Sequence, residues 1–74
     1  MIKVYFYGVT REKVNMTSMT TNVKSLSILK GMIPGLSRKE VKDLVVLVNG
    51  KKVKKNYHFK DGDIVYMLSP AGGG

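Results

Sequence analysis

Asp61-Gly62-Asp63-Ile64-Val65-Tyr66-Met67-Leu68-Ser69-Pro70-Ala71-Gly72-Gly73-Gly74 closes the chain, and its reading decides the fold. Asp61-Gly62-Asp63 has the composition of a tight turn, in which glycine tolerates a left-handed backbone and Asp bonds to nearby main chain. Ile64–Leu68 then reads as a strand with no wet face: Val65 and Met67 point one way, and Ile64, Tyr66 and Leu68 the other. Such a strand belongs in the middle of a sheet. Pro70 cannot donate to a ladder and stops it. Only small residues follow. Terminal glycines have little use in a packed fold, because glycine loses more backbone entropy on ordering than any other residue. Gly72, Gly73 and Gly74 suit a terminus threaded through a narrow channel into another protein's active site. A frayed end or a cloning scar is the bland alternative.

Outward from that strand, Ile2-Lys3-Val4-Tyr5-Phe6-Tyr7 alternates, with Ile2, Val4 and Phe6 on one face, which predicts a half-buried strand beside the last one. Gly8–Glu12 reads as a turn, and Val14 and Met16 continue the alternation in a second strand through Met19, giving an antiparallel hairpin. Thr20-Thr21-Asn22 offers N-cap groups ahead of a helix over Val23–Ile33, with Val23, Leu26, Leu29, Met32 and Ile33 at helical spacing. Pro34-Gly35 ends it. Ser37-Arg38-Lys39-Glu40 matches a capping box, so a short helix is expected from there to Asp43. Val45–Val48 is an apolar strand, Asn49-Gly50 a hairpin signal, and Lys51–Val53 the return. Asn56–Lys60 reads as irregular.

The composition narrows the function classes. Seventy-four residues make one domain, which buries only about 60% of its unfolded surface. The chain has no Cys, which removes disulfides, thiolate metal sites and a cysteine nucleophile. No apolar run approaches the ~20 residues of a membrane-spanning helix, and Met1-Ile2-Lys3 opens a strand instead of a signal peptide. A cytoplasmic location is expected. Thirteen Lys and Arg against five Asp and Glu give a formal charge of +8. That balance raises nucleic acid or an acidic protein surface as a partner. The basic residues are spread out, however, and only Lys51-Lys52-Val53-Lys54-Lys55 forms a cluster, which also reads as a solvated hairpin.

Strand, strand, helix, short helix, strand, short return and strand make an α+β chain. Its topology is the β-grasp, the ubiquitin-like roll: a mixed sheet of four to five strands packed on one main helix plus a short helix. Residues 1–69 form the domain and residues 70–74 a flexible glycine tail.

Val48-Asn49-Gly50-Lys51, then Asp61-Gly62-Asp63, an apolar strand, Pro70 and Gly73-Gly74 resemble the MoaD/ThiS family of ubiquitin-like sulfur carriers. Its best-known members are the small subunit of molybdopterin synthase and the sulfur carrier of thiamine biosynthesis. The resemblance covers the whole chain. It implies that a ubiquitin-activating-type adenylyltransferase uses ATP-Mg to convert the Gly74 carboxylate to an acyl-adenylate. A sulfur donor then replaces AMP, leaving a thiocarboxylate for a sulfur-accepting synthase subunit. The chain itself would be a protein substrate, or the non-catalytic small subunit of a synthase, with no bound cofactor. The chemistry is sensible on its own terms. A carboxylate is a poor electrophile, and adenylation supplies the leaving group. Holding the thiocarboxylate inside a partner's site makes sulfur transfer effectively unimolecular.

Ile64, Tyr66 and Leu68, facing away from the helix, are the candidate docking patch for the activating or sulfur-accepting partner; loops covering them would be the structural alternative. His58, beside Tyr57 and Phe59, has no second His and no nucleophile near it, so it reads as a surface or packing residue. The five Met residues read as core filling. No metal site, phosphate loop or nucleophile–base pair is visible. Two rival functions remain. A ubiquitin-like modifier would join Gly74 to target lysines. A β-grasp RNA module would use the basic residues with Tyr5 and Tyr7 as stacking platforms, but gives no reason for the glycines and is disfavoured.

Overall fold

In a computed structural model, which describes residues 1–70, β1 (Ile2–Phe6) and β5 (Ile64–Leu68) run parallel and adjacent at the centre of a five-stranded sheet. The remaining elements are α1 (Gly8–Val14), β2 (Ser18–Thr21), α2 (Leu26–Gly31), α3 (Arg38–Asp43), β3 (Val45–Val48) and β4 (Lys51–Lys52). The sheet order is β2-β1-β5-β3-β4, with β2 antiparallel to β1 and β3 antiparallel to both β4 and β5. This is the β-grasp roll, and β5 is central because both of its faces are apolar.

Register turns the alternation into rows. Met19, Val4, Val65 and Val48 lie in line across the inner face, and Phe6, Met67 and Val46 form the next row. Against these rows pack Val14 of α1, Leu26 and Leu29 of α2, and Ile33 and Leu44 from the connections, all buried. Each such side chain contributes about 1.5–3 kcal/mol by leaving water. Every helix-borne core residue lies on this inner side, so among the described residues no helix covers the opposite face of the sheet.

The chain departs from the sequence reading in its helices. Gly8–Glu12 is not a turn: Gly8–Val14 is a helix, ended by Asn15 in the left-handed region at φ 61° with its N–H bonded to the Arg11 carbonyl. Consequently Val14 belongs to that helix, Met16 to no strand, and β2 starts at Ser18. The expected Val23–Ile33 helix is shortened to Leu26–Gly31. Thr20 and Thr21 are taken by pairing with Lys3 and Ile2, and the segment after them is bound to residues 57–59. There Leu26 N donates to Tyr57 O (2.9 Å) and Phe59 N to Lys24 O (2.8 Å). Ser25 becomes the cap, its hydroxyl accepting from Ile28 N. In place of one main helix plus a short one, the described residues thus form three helices of seven, six and six residues. Of the methionines, Met67 is buried and Met16 and Met19 pack partly on the core, but Met1 and Met32 are exposed and fill nothing.

Other local readings hold. Ser37 and Glu40 form the capping box, and α3 ends at Asp43. Asn49 and Gly50 both have positive φ (53° and 85°), as the tight turn into β4 requires. Among the described residues, no helix is long and apolar enough to cross a membrane.

Candidate functional site

The outer face of the sheet gathers what the sequence separated. On β5, Ile64 is exposed and Tyr66 and Leu68 are half-buried. Register sets Tyr66 beside Tyr5 on β1 and Leu47 on β3, Leu68 beside Val45, and Ile64 beside Lys3. The Tyr66 ring stacks on Tyr5 (centroids 5.7 Å apart, 20° between planes) and leans on Tyr7 (5.8 Å, 32°). Lys3 Nζ lies 5.4 Å from the Tyr5 ring centroid, a cation–π distance. The three expected docking residues therefore form one apolar, aromatic patch, extended by Tyr5, Tyr7, Val45 and Leu47. Tyr5 and Tyr7, the stacking platforms that an RNA module would use, are instead in contact with Tyr66, which stacks against the first and leans on the second.

Along β5 the patch leads directly to the root of the tail. Leu68 is the last residue paired with β3. The Ser69 hydroxyl then lies 2.8 Å from that of Thr10 on α1. Pro70 sits half-buried in a cleft of about 120 Å³, with Val9, Leu36 and Leu44 among its apolar walls and Lys13 and Glu40 at its rim. Lys13 pairs with Glu40 and, with the Ser37 backbone, holds its carboxyl down to about 2. Ala71, Gly72, Gly73 and Gly74 lie outside the described residues, and with them the expected flexible tail and reacting position. The Thr10–Ser69 pair escaped the sequence reading. Its available signal was the helical spacing of Thr10 and Val14, the two residues that α1 buries.

A second polar centre holds the start of β5. Asp63, 6% exposed, accepts hydrogen bonds from Lys60 N (2.8 Å), Asn49 Nδ2 (2.9 Å) and the Tyr57 hydroxyl (3.0 Å). Those bonds, led by that from the Lys60 backbone, hold its carboxyl below the usual value against the opposing effect of burial. Asn49 Oδ1 in turn accepts from Ile64 N. His58 is exposed, and its backbone bridges to Ser25. Among the described residues, no group of three or more His, Asp or Glu is placed to hold a metal ion. On the helix side, Lys30, Lys42 and Lys55 surround an open concavity with Ser27 and Asn56.

The ThiS family model matches residues 4–74. No curated protein matches the chain at a significant level. Among solved structures, the chain is similar to SAMP1 from Haloferax volcanii, with TM-score 0.78 and 17% identity, covering 99% of this chain and 98% of that one. It is similar to the putative molybdopterin converting factor subunit 1 from Pyrococcus furiosus, with TM-score 0.77 and 20% identity, covering 95% and 97%. A third likeness is to the complex of subunits 1 and 2 of the molybdopterin-converting factor from Helicobacter pylori, with TM-score 0.70 and 20% identity, covering 99% and 97%.

Proposed function

The chain belongs to the ThiS family, and on that premise we propose that it is a ubiquitin-like sulfur carrier whose Gly74 is the reacting residue. In this reading a partner adenylyltransferase joins the Gly74 carboxylate to the α-phosphorus of ATP-Mg, and pyrophosphate leaves. Sulfide released by a sulfur donor then bonds to the acyl carbon as AMP departs. The resulting thiocarboxylate donates sulfur to a synthase subunit in the biosynthesis of molybdopterin, thiamine or a related cofactor.

One observation carries the reading: a single strand, β5, bears the apolar outer patch and runs into the tail with only Ser69 and Pro70 between. A partner that grips Tyr66 and Leu68 thereby receives the tail at a set distance. Holding the reacting group in place is worth much of the barrier to a bimolecular transfer. Support for a synthase partner comes from the Helicobacter pylori neighbour, which is a complex of subunits 1 and 2. A second reading, conjugation of Gly74 to lysines of other proteins, has support from the likeness to small archaeal modifier protein 1 of Haloferax volcanii. Both use the same tail and the same activation.

Mass spectrometry of the protein from its native host separates them. A terminal thiocarboxylate, heavier by one sulfur-for-oxygen exchange, is the expected result; an isopeptide bond to other proteins' lysines selects the modifier. Incubation with the activating enzyme, ATP and a sulfide source is expected to release AMP, and deletion of Gly73 and Gly74 to abolish that release. A bare carboxylate with no ATP-dependent partner overturns both readings.

A further inference from the structure

The Thr10 hydroxyl is fully buried and meets the Ser69 hydroxyl at 2.8 Å, across 59 positions of sequence. Burial alone gives no reason for a hydroxyl at this site. Replacing both members of a buried polar pair by apolar groups of the same shape is close to neutral for stability, and valine has the shape of threonine. What the pair adds is direction, because a hydrogen bond fixes orientation where apolar contact does not. Its location makes that direction matter. Ser69 is the first residue beyond the last sheet pair of β5, and Pro70 follows against Val9, Leu36 and Leu44.

Helix α1 is itself held as a rigid support. Val14 anchors it in the core, and Lys13 pairs with Glu40 of α3. Gly35 packs so close behind it that a Cβ there would lie 2.2 Å from the Lys13 carbonyl oxygen. The strut therefore ties the tail root to two elements beyond the sheet.

We propose that Thr10 is a positioning residue: through Ser69 it sets the line on which the chain leaves the domain, and so where the reacting terminus arrives in a partner's site. The proposal rests on the carrier reading above. It separates two tasks within one small domain. The outer patch determines whether the partner binds, and the Thr10–Ser69 pair determines how well the bound tail reacts. A misplacement of about 1 Å costs on the order of a hundredfold in rate, so loss of the pair is felt in turnover and not in binding.

The test uses the full chain with its activating enzyme, ATP and a sulfide source. For Thr10→Val, the Kd for the enzyme is expected to stay within about twofold, while AMP release at saturation falls about tenfold or more. Thr10→Ser restores it. Ser69→Ala, at a site where folding is less at risk, reproduces the loss, and the double variant loses no more than either single one. In the free protein, the backbone order parameter at Ser69 is expected to fall from about 0.85 towards 0.6 or below in Thr10→Val. An unchanged order parameter shows that the pair restrains nothing and overturns the proposal. A lowered order parameter with full turnover overturns the positioning role. Absence of AMP release from the unaltered protein instead defeats the carrier reading on which the proposal stands.

Discussion

Asp63 shows how much one side chain can hold in a domain this small. Its carboxylate satisfies Asn49, Tyr57 and the Lys60 backbone together, while its own carbonyl accepts from Lys3 N. The loop before β5, the turn after β3 and the start of β1 thus meet at one residue. Its lowered folded-state pKa fixes the sign of the linkage. The stability it contributes is fully present above the ordinary Asp value near ~4 and is lost as pH falls through the depressed folded value. Urea titrations across that acid range are expected to show stability falling. In Asp63→Asn that slope is expected to flatten. At neutral pH the same variant presents a donor where donors already converge, and should cost about 1–3 kcal/mol.

At the scale of elements, β5 and α1 divide the work. On β5, Tyr66→Asp or Leu68→Asp adds charge to the outer face, where no helix packs among the described residues. Each is expected to leave the melting temperature near that of the parent. Association with the activating enzyme should weaken at least tenfold, since an apolar side chain buried in an interface is worth about 1.5–3 kcal/mol. A melted domain would assign that face to the core, and unchanged binding would put the interface elsewhere. For α1 the sensitive point is a neighbour. Gly35 has φ +78° and faces the Lys13 carbonyl oxygen at a distance no Cβ tolerates. Gly35→Ala must therefore displace backbone. It is expected to cost more than about 1 kcal/mol, lowering the melting temperature of so small a domain by at least about 4 °C. Gly31→Ala meets nothing within 4 Å and removes a glycine from the last residue of α2, so it should stabilise by about 0.4–1 kcal/mol.

Across the whole molecule the charge is lopsided. Of five acids, Glu40 pairs with Lys13, Asp61 with the Met1 amino group, and Asp63 is enclosed. The lysines therefore dominate the long-range field, and binding to polyanions is expected. Its character separates the function classes. For a protein making several phosphate contacts, affinity should fall by orders of magnitude between ~50 and ~200 mM salt. Weak, sequence-independent binding that disappears over this range agrees with a carrier whose lysines keep it soluble or steer it to an acidic partner. Specific RNA binding that survives physiological salt would support the RNA-module reading.

Features whose causes lie within a few residues were legible in the chain itself. The Ser37–Glu40 box closes over three positions, Asn49-Gly50 needs only its own dihedrals, and the two apolar faces of Ile64–Leu68 already require neighbours on both sides. From these follow the β-grasp, the central place of β5 and a patch containing Ile64, Tyr66 and Leu68. What tertiary structure alone decided depends on partners far away in sequence. Seven residues from Gly8 to Val14 are too few for a helix on propensity, because isolated helices below about 12 residues are marginal in water. Burial of Thr10 and Val14 makes that one stable. Thr20 and Thr21 could cap a helix or pair with β1, and the sheet, satisfying more backbone groups, took them. The Tyr5–Tyr66–Tyr7 stack and the Thr10–Ser69 bond exist because a parallel pairing brings the two ends of the chain side by side. Until that sheet closes, the helical spacing of Thr10 and Val14 marks a buried face but says nothing of Ser69.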